Sequence, residues 1–169
     1  MRIYRLVLGM LGRREEAEDV VQEVFVQVFK GIDSFRQEAQ LGTWIYRVAV
    51  NTCKNRAKYL ARRPETRQSE LEEVTGQAAD HGAGGVTSSA LPAPDQEVMG
   101  HQAEAIVKRC ILELEPDFRE VLILRDLENL SYEAICEITR APEGTVKSRL
   151  HRARSMLKEK VSAALGLKL

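Results

Sequence analysis

Aromatic side chains are only 5% of the 169 residues, and runs of β-branched residues bounded by turns are scarce. A sandwich or barrel needs both, so the composition points away from sheets and towards an all-α fold. No apolar run approaches the roughly 20 residues that span a bilayer. The opening stretch MRIYRLVLGMLGRREEAED has a short apolar patch but no small-residue cleavage site, which argues against a signal peptide. Cysteine occurs three times, at Cys53, Cys110 and Cys136, far apart and without a CxxC pair. An odd, scattered set suits free thiols in a reducing cytosol, and neither a disulfide framework nor a zinc site. His81, His101 and His151 show no metal-ligand spacing either. A cytoplasmic protein without metal or cofactor is the expectation.

Net charge is also missing: 25 basic residues balance 25 acidic ones. Its distribution is uneven. Residues 39–63 hold Arg47, Lys54, Arg56, Lys58, Arg62 and Arg63 and no acid. Residues 145–160 hold Lys147, Arg149, Arg152, Arg154, Lys158 and Lys160 against Glu159 alone. Acids gather at 15–23, 65–73 and 113–143. Phosphate meets local charge rather than the net balance, so two basic stripes mark two candidate contacts with nucleic acid.

What is present is helical periodicity. Ile3, Leu6, Val7, Met10 and Leu11 stripe a first helix that Gly12 can end. Val20, Val21, Val24, Phe25, Val28 and Phe29 stripe a second, with Glu15, Glu16, Glu18 and Asp19 in its first turns, where the helix dipole favours acids. Its opposite face carries Gln22, Glu23, Gln27 and Lys30. After a loop over 31–42, a third helix starts at Thr43. Trp44, Ile45, Val48, Ala49, Thr52 and Cys53 are its expected buried side, and Arg47, Asn51, Lys54, Asn55 and Lys58 its outer one.

From about residue 61 to 100 the periodicity collapses into Gly, Ala, Ser and Pro. This reads as a flexible linker with a root-mean-square span of about 35 Å. A turn of DNA is about as long. The chain therefore divides into a first domain at 1–62, a linker at 63–101 and a second domain at 102–169.

In the second domain Ile106, Val107, Cys110, Ile111 and Leu114 stripe one helix, and Pro116 breaks it. Asp117 is placed to cap the next, with Val121, Leu122, Leu124 and Leu127. Ser131 caps a short helix with Ala134, Ile135 and Ile138 inside, residues 140–144 turn, and Thr145 caps a basic helix whose inner stripe is Val146, Leu150, Ala153 and Leu157. A short helix, a tight turn and a basic amphipathic helix make the helix-turn-helix layout. Its outward residues would be Lys147, Ser148, Arg149, His151, Arg152 and Arg154, the types that pair with base edges and phosphates. The basic third helix of the first domain, with Trp44 and the loop residues Phe35 and Arg36, has the ingredients of a single-strand groove, although both aromatics equally suit a core.

EEAEDVVQEVF (15–25) and DSFRQEAQLGTWIYRVAVNTCKNRAKYLARR (33–63) resemble domain two of the extracytoplasmic-function sigma factors. LEPDFREVLILRDLENLSYEAICEITRAPEGTVKSRLHRARSMLKEKV (114–161) resembles their domain four. The resemblance implies binding to core RNA polymerase through Asp19, Gln22 and Glu23. It implies recognition of a melted −10 element by the loop 33–43 and the third helix, through Phe35, Arg36, Thr43, Trp44, Arg47, Asn51, Lys54, Asn55, Arg56 and Lys58, with Asn51 holding a flipped-out base. It implies reading of the −35 element by Thr145, Lys147, Ser148, Arg149, His151, Arg152 and Arg154. An anti-sigma protein is the further expected partner. The family's domain two opens with a longer helical region, inside which Met1 falls. The competing reading is a regulator of the response-regulator output type. An enzyme built on Cys53 with His81 or His101 is disfavoured, because both histidines sit in or beside the linker.

Overall fold

The computed structural model describes the backbone of residues 2–35, 40–62 and 94–166. Most of the expected linker, from 63 to 93, lies outside the described residues, as does Arg36. Every element described is helical. In the first half these are α1 (Arg2–Leu11), α2 (Arg14–Gly31), a single 3-10 turn (Ile32–Ser34) and α3 (Leu41–Ala61). The second half has α4 (Pro94–Leu112), α5 (Pro116–Leu122) continuing into a π-helical turn (Ile123–Leu127), α6 (Tyr132–Thr139) and α7 (Glu143–Ala164). None of the helices described is long and apolar enough to cross a membrane.

The first helices follow their periodicity. Leu6, Val7 and Met10 bury one side of α1, and Gly12, at φ +79°, ends it in the left-handed conformation that glycine adopts without strain. On α2 the buried set is Ala17, Val20 and Val24. The outer half of its expected stripe is exposed: Phe25 is 51% and Phe29 81% accessible. The reason is packing geometry. α2 rests on α1 and α3, whose shared groove covers a narrow arc, and no described element lies over the far flank.

Helix starts differ from expectation where the cap was guessed from residue type. Pro94 opens α4, so residues 94–101 belong to a helix and not to the linker. Glu115 caps α5, with Pro116 in its first turn, which suits its fixed φ. Asp117 therefore lies inside the helix. Pro142 precedes α7, which starts two residues before Thr145 and leaves Thr145 in its first turn. Ser131 caps as its chemistry suggests: its hydroxyl accepts from the Ala134 amide at 3.2 Å.

The two halves share one core. Leu6, Val7, Val20, Val24, Tyr46, Val50 and Cys53 join Val121, Ile123, Leu124, Ile135, Val146 and Leu150 in a single buried cluster. α1 packs against α4, α5 and the π-helical turn, and α3 packs against α6. This explains a second departure. Tyr46 and Val50 are buried on α3, whereas Trp44, Ile45 and Val48 are only partly so. The helix has two covered sides, one towards α2 and one towards the second half.

Candidate nucleic-acid interface

α3 is the first basic element. Asn51, Asn55 and Lys58 are exposed along it, and Arg47 and Lys54 are half-buried. Arg47 Nε is shielded from solvent and has no hydrogen-bond acceptor. Ahead of the helix, Phe35 stacks against Trp44 with ring centroids 5.3 Å apart and planes tilted by 43°. The indole also covers Gly31, where a Cβ would come within 3.1 Å of it. Both rings are half-buried, so they form the wall of the helix entrance and not the centre of the core. Thr43 is buried beside them. The exposed amide of Asn51 is two turns further along.

Two of the expected cations are already engaged. Arg56 reaches Glu16 at 3.3 Å and Glu23 at 3.8 Å, which ties α3 to α2. Lys54 Nζ lies 2.7 Å from Glu120 Oε2, a carboxylate of the second half that is 1% exposed. On the polar side of α2, Asp19, Gln22 and Glu23 are all exposed, and Gln27 donates to Glu23 at 3.1 Å.

α7 is the second basic element. Val146, Leu150 and Ala153 are buried, which turns Lys147, Ser148, His151, Arg152 and Arg154 outward and leaves Arg149 and Thr145 half-exposed. Arg140, at φ 56°, makes the sharp turn between α6 and α7. Lys147, His151, Arg154 and Lys158 recur at helical spacing and border an open groove against Tyr132. The Lys147 ammonium also stands 5.4 Å from the Tyr132 ring centroid.

Sequence reasoning missed the carboxylates that orient these cations. Glu143 holds Lys147 at 2.6 Å, a partner that raises the ammonium pKa through its hydrogen bond and charge. Asp117 holds Arg149 at 2.6 Å, and Asp126 grips Arg154 through two oxygens at 2.9 and 2.5 Å. Glu113 holds Lys160 at 2.8 Å. Only the first pair, spaced i and i+4 on one helix, has a sequence signal. Such exposed pairs contribute little to stability, but they narrow the conformations open to long side chains. Among the described residues, no group of three or more histidine, cysteine, aspartate or glutamate side chains is placed to hold a metal.

Comparison with known proteins agrees with this layout. The family described as Sigma-70 region 2 matches residues 1–64, and that described as Sigma-70, region 4 matches residues 104–157. An ECF RNA polymerase sigma-E factor of Haemophilus influenzae is 39% identical over 163 residues, covering 95% of this chain and 84% of the relative. RNA polymerase sigma-H factor of Pseudomonas aeruginosa is 34% identical over 92% of this chain and 78% of its own length. In fold, the chain is similar to sigma factor RpoE of Bartonella quintana, solved with the anti-sigma factor NepR. The TM-score is 0.65 at 22% identity, over 95% of this chain and 89% of that one. CnrH, solved with the cytosolic domain of CnrY, gives 0.62 at 17% identity over 96% and 81%.

These matches overturn the response-regulator alternative, since relatives in register along nearly the whole chain are sigma factors. Of the imagined enzyme pairing, His81 lies outside the described residues and the side chain of His101 is not described. The chain belongs to the extracytoplasmic-function sigma factors of the sigma-70 family, non-enzymatic proteins that bind RNA polymerase and direct transcription initiation at promoters.

Proposed function

We propose that the labour of promoter recognition is divided between the two basic helices of this chain. α3 and the preceding 33–43 loop take the melted −10 element. Asn51 meets the edge of an extruded base, and Arg47, Lys54, Asn55 and Lys58 follow the backbone. Asn51 suits a base edge because its amide both donates and accepts. The unsatisfied Nε of Arg47 supports the same reading, since a buried donor without a partner is stabilised by any acceptor that reaches it. α7 reads the −35 element in the major groove through Lys147, Ser148, Arg149, His151 and Arg152, with Thr145 and Arg154 at the flanks. Asp19, Gln22 and Glu23 on α2 dock on core polymerase. The boundaries 1–62 and 102–169 delimit the two recognition modules, to which α4 adds residues from Pro94 on.

The observation that carries the division is the outward set of cations on α7 above a buried Val146, Leu150 and Ala153. The site of action is the cytoplasm, where polymerase and chromosome meet. An anti-sigma protein is the expected regulator, a role in keeping with the anti-sigma complex of the Bartonella quintana relative. Run-off transcription with core polymerase over a promoter library tests the assignment. Initiation should depend on both elements, and alanine at Arg152 should alter the −35 preference alone. A library read without −35 preference would refute the role given to α7.

A further inference from the structure

The π-helical turn ahead of α6 carries two adjacent charged residues, and each holds a different partner. Asp126 grips Arg154 of α7 through both carboxylate oxygens. Arg125 serves α6 instead. Its Nη1 donates to the Leu130 carbonyl at 2.6 Å, and its guanidinium carbon stands 4.8 Å from the centroid of the Tyr132 ring. Tyr132 is the first residue of α6, directly after the Ser131 cap whose hydroxyl accepts from the Ala134 amide. Its backbone is therefore fixed by the cap and its ring by Arg125. The same ring meets α7, where the Lys147 ammonium lies 5.4 Å from its centroid. Arg125, Tyr132 and Lys147 thus make one line of contacts from the turn, through α6, to the outward face of α7.

We propose that Tyr132 is a specificity-determining positioning residue for the −35 element: its ring, set by Arg125, aims the Lys147 ammonium at one base edge. The inference rests on the base-reading role given to α7 above. A lysine is a point charge on a flexible stem, and left free it meets any phosphate within reach. Such a contact adds affinity without sequence preference. Reading a base edge requires an ammonium already held to one direction. Glu143, at 2.6 Å on the same helix, orients Lys147 in the free chain. Its carboxylate is repelled by the phosphates that border the DNA groove, so the pair loosens as DNA approaches. Tyr132 brings no acid to the groove and comes from a different helix. Its hold persists beside phosphate and fixes Lys147 relative to α6, the helix that lies across the DNA backbone. At a site this open, with Lys147 56% exposed, the attraction of an ammonium for a ring face amounts to roughly two- to fivefold in an equilibrium. That is the size of effect expected of a residue that sharpens a preference, and not of one that supplies the binding.

The test uses the full chain with core polymerase, on duplex promoters in which each −35 base pair is replaced in turn. Lys147→Ala identifies the position that the lysine reads. Tyr132→Phe keeps the ring and should keep wild-type discrimination. Tyr132→Leu keeps apolar bulk and removes the ring face. It should lower discrimination at that one position by roughly two- to fivefold. It should add nothing once Lys147 is alanine, since the two residues act through one contact. Nuclear magnetic resonance of the free chain reads the contact before any DNA is added. The ring current should move the ε-methylene protons of Lys147 upfield in wild type and in Tyr132→Phe, and Tyr132→Leu should abolish the shift. Ordinary lysine shifts in the wild-type chain overturn the proposal, whether or not the leucine variant folds. Full discrimination in Tyr132→Leu overturns it too. So does a loss that is equal on every promoter or undiminished in the Lys147→Ala background, either of which makes Tyr132 merely structural. A Tyr132→Phe variant as defective as Tyr132→Leu would transfer the role from the ring to the hydroxyl, and so would also overturn it. Failure of the underlying assignment looks different: Lys147→Ala then weakens every promoter alike while the ring-current shift persists, and the proposal falls with it because nothing is left to aim.

Discussion

Tyr46 donates its hydroxyl proton to Glu128, 82 residues away along the chain, at 2.6 Å and out of contact with water. Burial and the neighbouring carboxylate both push the phenol pKa upward, so it stays a donor at any physiological pH. A neutral donor facing a buried carboxylate is stronger than an ordinary hydrogen bond. Tyr46→Phe keeps the ring and removes only the donor. It should lower the stability of the full chain by about 1.5–3 kcal/mol, the range for hydrogen bonds to charged groups. Urea unfolding measures this, and a variant as stable as wild type would mean that the ring alone matters.

Glu120 makes a prediction about pH. Burial, partly offset by Lys54, raises its pKa above the ordinary carboxylate value. The folded chain therefore binds this proton more tightly than the unfolded chain does. The favourable linkage is present in acid and is lost as pH rises from about 4.3, the unfolded value, through the folded one. Glu120→Gln should remove that slope, and at pH 7 it should be at least as stable as wild type. Denaturation midpoints of the two proteins between pH 4 and pH 7 give the comparison. Parallel curves would show that Glu120 is not desolvated.

The thiols report on the shared core. Cys53 is 1% exposed and its pKa is pushed up to about 12, chiefly by burial, and Cys110 is buried at 2%. Cys136 is only half-buried. The thiolate is the reactive form and must also be reachable. Brief alkylation of the native chain at pH 8 should modify Cys136 first and leave Cys53 untouched, as read by peptide mass spectrometry. Early modification of Cys53 would contradict the packing of α3.

Gln22 and Glu23 are exposed on α2, and the partners of Glu23 are the exposed Gln27 and the half-buried Arg56. Gln22→Ala with Glu23→Ala should weaken binding to core polymerase about tenfold or more, as expected when two contacts of roughly 1 kcal/mol each are lost. Thermal stability should stay within a degree or two. Wild-type affinity in a titration with core enzyme would place the docking face elsewhere.

Asn51 is exposed on α3, so its replacement leaves the core intact. Flipping a base costs a few kcal/mol that the protein must offset. Asn51→Ala should reduce permanganate-reactive thymines at the −10 element, while binding to core polymerase and to duplex −35 DNA stays unchanged. An unaltered footprint would remove Asn51 from promoter opening.

The residues divide according to what local chemistry can reveal. The faces of α1, α6 and α7 follow from helical spacing, and the Ser131 cap follows from a hydroxyl placed before a periodic run. Both basic stripes were legible because like charges recurring at helical intervals must share a face. The cap roles given to Asp117 and Thr145 failed because a cap needs extended backbone at that residue, and here Glu115 and Pro142 supply it. Phe25 and Phe29 were misplaced for a different reason. Periodicity shows which residues share a side of a helix, not how wide an arc the neighbours will cover.

Sequence by itself determined the helices, the two basic surfaces and the membership of a family, because each depends on spacing along the chain. Only the tertiary structure decided that Tyr46 and Val50 are core, and that Arg149 and Arg154 are held by Asp117 and Asp126. It alone revealed Glu120 and Glu128 as buried carboxylates that meet the opposite half. An acid on a short helix or in the loop after it is ordinarily solvated, and nothing in its neighbours along the chain signals otherwise. Its burial is set by cations 66 to 126 residues away that only folding brings within reach.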